Sequence, residues 1–80
     1  MLNEHTLKQV MAVMLNVEAS VIDIDSSMDN IPNWDSLRHM NLVLALEEEF
    51  KVVIPDEDVG NITSYTLIKL VLEELIEGQG

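Results

Sequence analysis

Asp35, Ser36 and His39 bring a carboxylate, a hydroxyl and an imidazole within one helical turn of each other, the three groups that nucleophilic hydrolysis uses. As a triad the arrangement fails. No glycine-rich oxyanion loop or nucleophile elbow accompanies Ser36, and an acid adjacent to the serine is badly placed to orient the imidazole through its far nitrogen. His39 is expected at the edge of the core with a hydrogen-bond partner, and His5 in solvent near the first helix cap. Asp23, Asp25, Ser27 and Asp29 alternate like the ligands of a calcium loop. The sixth position there is Met28 instead of glycine and the twelfth is Trp34 instead of a bidentate Glu. A solvated acidic loop is the expectation, and no metal site is assigned. The absence of cysteine excludes disulfides and thiolate metal sites.

Ser36 suggests other chemistry by its place in the chain. The pair Asp35-Ser36 opens a helix, where unpaired backbone N–H groups and the positive dipole end favour an anion such as a phosphate. The same position suits an ordinary capping serine, and the residue alone does not separate the two.

The elements around it follow from periodicity. From Asn3 to about Asn16, Leu7, Val10, Met11 and Met14, then Val17, recur at helical spacing, with Asn3 as the cap. Between Val17 and Trp34 the periodicity fails and turn formers dominate, which predicts a long connecting loop pinned by Val21, Ile22, Ile24 and Ile31. The second helix runs from Asp35-Ser36 to Phe50. Lys51-Val52-Val53-Ile54-Pro55 follows as a short β-branched segment, and Asp56–Val59 forms one helical turn stopped by Gly60-Asn61. Thr63 or Ser64 caps a last helix with Ile68, Val71, Leu72 and Leu75 on one side, ended by Gly78-Gln79-Gly80. The expected fold is all-α: a bundle of three main helices plus one short helix, with a long first loop, as a single domain over residues 1–80.

In the second helix, steps of about 100° per residue gather Leu42, Val43, Leu46 and Phe50 into a core stripe. Leu37, Met40 and Leu44 fall on the nearly opposite side among Asn41, Glu47 and Glu48. Either this second apolar strip docks a partner, or the chain's own loop or a neighbouring element covers it.

The stretch Trp34-Asp35-Ser36-Leu37, then Asn41-Leu42-Val43-Leu44-Ala45-Leu46-Glu47-Glu48-Glu49-Phe50, then Ile54-Pro55-Asp56-Glu57-Asp58, resembles the acyl carrier protein family over about the whole chain. The resemblance implies that a phosphopantetheinyl transferase moves a 4'-phosphopantetheine arm from coenzyme A onto Ser36, with Asp35 supporting the transfer Mg²⁺. The arm's thiol then carries acyl groups as thioesters for enzymes of fatty-acid, polyketide or related lipid biosynthesis. Partner enzymes grip the second helix through basic patches, and the matching positions are Leu37, Met40, Leu44, Glu47 and Glu48. On this reading the chain is a carrier and not an enzyme. Four residues depart from the family pattern: Arg38 where an acid is frequent, Asn41 where Glu is frequent, Gly60 in the short third helix where more helix-favouring residues are common, and Trp34, which is more typical of specialised pathways. An aminoacyl or peptidyl carrier is the alternative within the same chemistry, and an unmodified acidic helical adaptor is the alternative outside it.

Charge and size agree with a small protein-binding module. Fifteen acidic residues against four basic ones give a net charge of −11, which repels nucleic acid and anionic membrane surfaces and selects partners with basic patches. No stretch approaches the roughly 20 apolar residues of a membrane span, and the N-terminus lacks a basic run followed by an apolar segment. A cytoplasmic monomer is expected.

Overall fold

The computed structural model describes residues 2–79; Met1 and Gly80 lie outside the described residues, and with Gly80 the last position of the expected helix stop. The described residues form α1 (Glu4–Leu15), a 3-10 turn over Ala19–Val21, α2 (Ser36–Phe50), α3 (Asp56–Val59) and α4 (Tyr65–Gln79). This is the expected all-helical order.

Helix boundaries have local causes. Asn3 Oδ1 accepts from Thr6 N at 3.1 Å and caps α1. Ser64, rather than Thr63, does the same for α4 by accepting from Leu67 N at 3.2 Å. Both α1 and α2 end on a non-glycine residue in the left-handed region, Asn16 and Lys51, each with φ of 56°. The residue after each bonds back five positions, Val17 N to Ala12 O at 3.0 Å and Val52 N to Glu47 O at 3.1 Å. These are Schellman closures, and in both the residue beyond the cap is a valine turned towards the core. α4 continues through Gly78 to Gln79, so a glycine in the last turn does not stop it.

Leu7, Met11 and Leu15 of α1, Leu42 and Leu46 of α2, and Ile68 and Leu72 of α4 form the centre of the core. Val52 and Ile54 point inward and Val53 outward, as an extended segment requires. The long loop is pinned by Ile22 and Ile31 but not by Val21 and Ile24, which are exposed. Backbone bonds from Met28 N to Thr63 O (3.0 Å) and from Tyr65 N to Ser26 O (2.9 Å) tie it to the start of α4 instead. Its acidic part is closed by its own side chains. Asp23 Oδ1 accepts from Asp25 N, Asn30 Oδ1 from Ser27 N and Ser27 Oγ from Asp29 N. These are local turns, formed by the residues whose spacing imitates a calcium loop.

Candidate functional site

The chain approaches Ser36 through a stack of tight turns. Ile31 N donates to Ser27 O, Trp34 N to Ile31 O and Asp35 N to Asn33 O, at 3.0, 3.0 and 3.1 Å. Asn33 Nδ2 reaches Asn16 O at 3.3 Å and fastens this approach to the end of α1. Asp35 then takes extended backbone geometry, and its Oδ1 accepts from Arg38 N at 2.8 Å, which makes Asp35 the N-cap and Ser36 the first helical residue.

Among the described residues nothing accepts from the backbone N–H of Ser36 or Leu37, and the Ser36 hydroxyl is exposed and makes no hydrogen bond. An accessible hydroxyl beside two open amides at the positive end of a 15-residue helix suits attachment of a phosphodiester. Asp35 is exposed beside it, with one carboxylate oxygen engaged as the cap.

His39 and Ser36 do not combine as base and nucleophile. The Trp34 indole N–H donates to His39 Nδ1 at 3.0 Å, and His39 Nε2 lies 2.7 Å from the Val59 carbonyl. An indole can only donate and a carbonyl can only accept, so the ring is the neutral tautomer with its proton on Nε2. Both nitrogens are thereby committed, and His39 is 5% exposed. The expected hydrogen-bond partner is therefore present twice over. Sequence reasoning missed Trp34 as a structural residue: it is 2% exposed and lies beside the His39 ring, with centroids 6.0 Å apart. It precedes the helix, so helical spacing carries no signal for this pairing.

The second apolar strip of α2 lies open. Leu37, Met40 and Leu44 are 72%, 51% and 61% exposed, so no part of the described chain covers them. Glu48 is exposed on the same side. Glu47 is half-buried, and its Oε2 accepts from Ile54 N at 2.8 Å, an intramolecular role that helical spacing alone did not disclose.

A second polar cluster ties α1 to α4. Tyr65 OH donates to Glu4 Oε1 at 2.8 Å, Lys69 Nζ lies 3.4 Å from the same oxygen, and Lys8 Nζ stands 5.7 Å from the centre of the Tyr65 ring. The Tyr65 bond, with Lys69 beside it, holds the Glu4 carboxyl below its ordinary value of 4.5. Burial, together with the Glu4 carboxylate, pushes the Tyr65 phenol above its ordinary 10.0. No helix among the described residues is long and apolar enough to cross a membrane.

Comparison with known proteins bears on this site. A family model described as "Phosphopantetheine attachment site" matches residues 5–71. Among solved structures, the fold is similar to the solution NMR structure of a holo acyl carrier protein from Geobacter metallireducens, with a TM-score of 0.83 at 20% sequence identity. The match covers 94% of this chain and 86% of that one.

Proposed function

Because the chain belongs to the phosphopantetheine attachment family, we propose that it acts as an acyl carrier whose Ser36 takes the covalent 4'-phosphopantetheine arm of that family. The observation that carries this reading is the exposed, unbonded Ser36 hydroxyl at the first position of α2, beside two open amides. When attached, the arm supplies the thiol this cysteine-free chain lacks, and the thiol holds an acyl group as a thioester. The protein's own residues hold and present it. Ser36 would supply the hydroxyl oxygen, the open Ser36 and Leu37 amides would favour the phosphodiester charge, and Asp35, which caps the turn through Oδ1, would support the transfer Mg²⁺.

The carrier domain spans residues 1–80, and its partners are a phosphopantetheinyl transferase and acyl-handling enzymes with basic docking patches. Leu37, Met40 and Leu44 form the apolar centre of the docking face, and Glu48 with the free oxygen of Glu47 forms its acidic rim. A hydrophobic centre fixes where the partner sits, and the acids speed its approach. Arg38, Asn41 and Trp34 favour a specialised pathway over housekeeping fatty-acid synthesis. We place the carrier in the cytoplasm as a monomer.

The test is intact mass before and after incubation with coenzyme A and a broad-specificity phosphopantetheinyl transferase, with Ser36→Ala alongside. One added arm, absent in Ser36→Ala, is expected. An unmodified wild type, with the transferase active on another carrier, would leave an acidic helical adaptor as the better reading.

A further inference from the structure

We propose that Trp34, His39 and the Val59 carbonyl form a buried strut that sets the pitch of the first turn of α2, making Trp34 and His39 positioning residues for arm transfer to Ser36. The inference rests on the carrier reading of Ser36 and adds two buried residues outside the proposed attachment and docking positions.

A four-residue helix such as α3 cannot satisfy its own end groups and has no stability in isolation. Its last carbonyls must find partners elsewhere, and Val59 O finds His39 Nε2 at 2.7 Å. At the other end of the same segment, Ile54 N donates to Glu47 Oε2 at 2.8 Å. Two side chains of α2, eight positions apart and so about 12 Å along the axis, thus clamp the stretch from Ile54 to Val59 against that helix.

The clamp at His39 continues to the arm site. His39 is three residues after Ser36, and its other nitrogen accepts from Trp34, two residues before Ser36. Trp34 is 2% exposed, so the loop can enter α2 only along the path that seats the indole. The serine is therefore bracketed by two buried side chains bonded to each other, one of which is bonded to α3. The Asp35 cap fixes which amides are open. The strut fixes where the first turn points relative to the rest of the bundle. A group-transfer reaction is sensitive to that direction, because misplacing a reacting atom by about 1 Å can cost on the order of a hundredfold in rate.

The experiment measures kcat and KM for arm transfer from coenzyme A by a broad-specificity phosphopantetheinyl transferase, with the carrier as the varied substrate. Trp34→Phe keeps a buried ring and removes the N–H. His39→Leu leaves both partners unpaired, and His39→Gln restores one acceptor and one donor. Expected is a fall in kcat of about tenfold in Trp34→Phe and His39→Leu with KM little changed, and recovery in His39→Gln. A variant that is merely less stable behaves differently: its lower folded fraction raises apparent KM and leaves kcat at saturation intact. Unchanged kcat in both variants, or a change confined to KM, would overturn the proposal. A readout independent of variant folding is the ¹⁵N spectrum of the wild-type His39 ring. The Nε2–H tautomer is expected, and the Nδ1–H tautomer would overturn the strut. No transfer to the wild type would overturn the carrier reading itself, a result distinct from transfer that ignores Trp34 and His39.

Discussion

Asp35 has one observed duty and one proposed, and substitution divides them. Its Oδ1 caps α2 through Arg38 N, and the carrier reading proposes that its carboxylate also supports the transfer Mg²⁺. Asn caps about as well as Asp, whereas Ala loses about 1 kcal/mol of helix-end stabilisation. Asp35→Asn is expected to melt within a degree or two of wild type yet accept the arm at least about tenfold more slowly, since one charge-supported contact carries that much. Asp35→Ala loses both Tm and transfer rate. Thermal denaturation followed by transfer kinetics on the same samples checks this, and an Asn variant that transfers at the wild-type rate would leave Asp35 as a cap alone. The helix start at Asp35 and Ser36 was legible in the sequence because capping depends on residue type and adjacency. The Trp34 to His39 bond was not, since it joins a loop residue to a helical one through a conformation that only the folded loop defines.

At the scale of elements, α2 organises its neighbours on one face and leaves the opposite face free. Glu47 belongs to both. Removing its carboxylate leaves the half-buried Ile54 amide without its acceptor, a cost of about 1–3 kcal/mol, whereas Gln can still accept. Glu47→Ala is expected to lower Tm and to accelerate amide exchange at Ile54, and Glu47→Gln to leave both near wild type. Equal exchange in the two variants would show that the bond does not hold the α2 to α3 segment. Leu44 presents the converse case. It is exposed, so Leu44→Glu should leave the unfolding free energy within about 0.5 kcal/mol of wild type while weakening capture by a partner enzyme at least about tenfold. Undiminished capture would move the docking face off the Leu37, Met40 and Leu44 strip.

The whole molecule bears a charge of −11 on a small bundle, and that repulsion opposes compaction. Raising NaCl from low values to 0.1 M shortens the Debye length to about 10 Å and should raise Tm at neutral pH. A melting temperature flat across salt would mean that the acids are already neutralised locally. The junction of α1 and α4 adds a pH dependence of its own. Glu4 titrates lower folded than unfolded, so its contribution is present above pH 4.5 and fades as pH falls through the depressed value. Tyr65 titrates higher folded than unfolded, so its contribution is intact below pH 10.0 and fades as pH rises past it. In Tyr65→Phe the alkaline loss should shrink, and the Glu4 carboxyl, followed by NMR, should titrate closer to 4.5. An unmoved Glu4 titration would assign its shift to Lys69 and Lys8.

By itself the sequence determined what depends on residue type at short range. The main helices follow from apolar spacing, their starts from Asn3, from Asp35-Ser36 and from the pair Thr63-Ser64, of which the folded chain uses Ser64, and the two apolar sides of α2 from its own periodicity. The proposal of attachment at Ser36 comes from the sequence as well, through a resemblance to a known family over about the whole chain. Tertiary structure alone decided the rest. It left the Leu37, Met40 and Leu44 strip bare, seated Ile22 and Ile31 while leaving Val21 and Ile24 in solvent, and turned Glu47 towards Ile54 and His39 towards Trp34 and Val59. Those outcomes depend on which groups from distant segments meet, because a buried polar group must find a partner wherever the fold supplies one, and spacing along the chain does not encode that meeting.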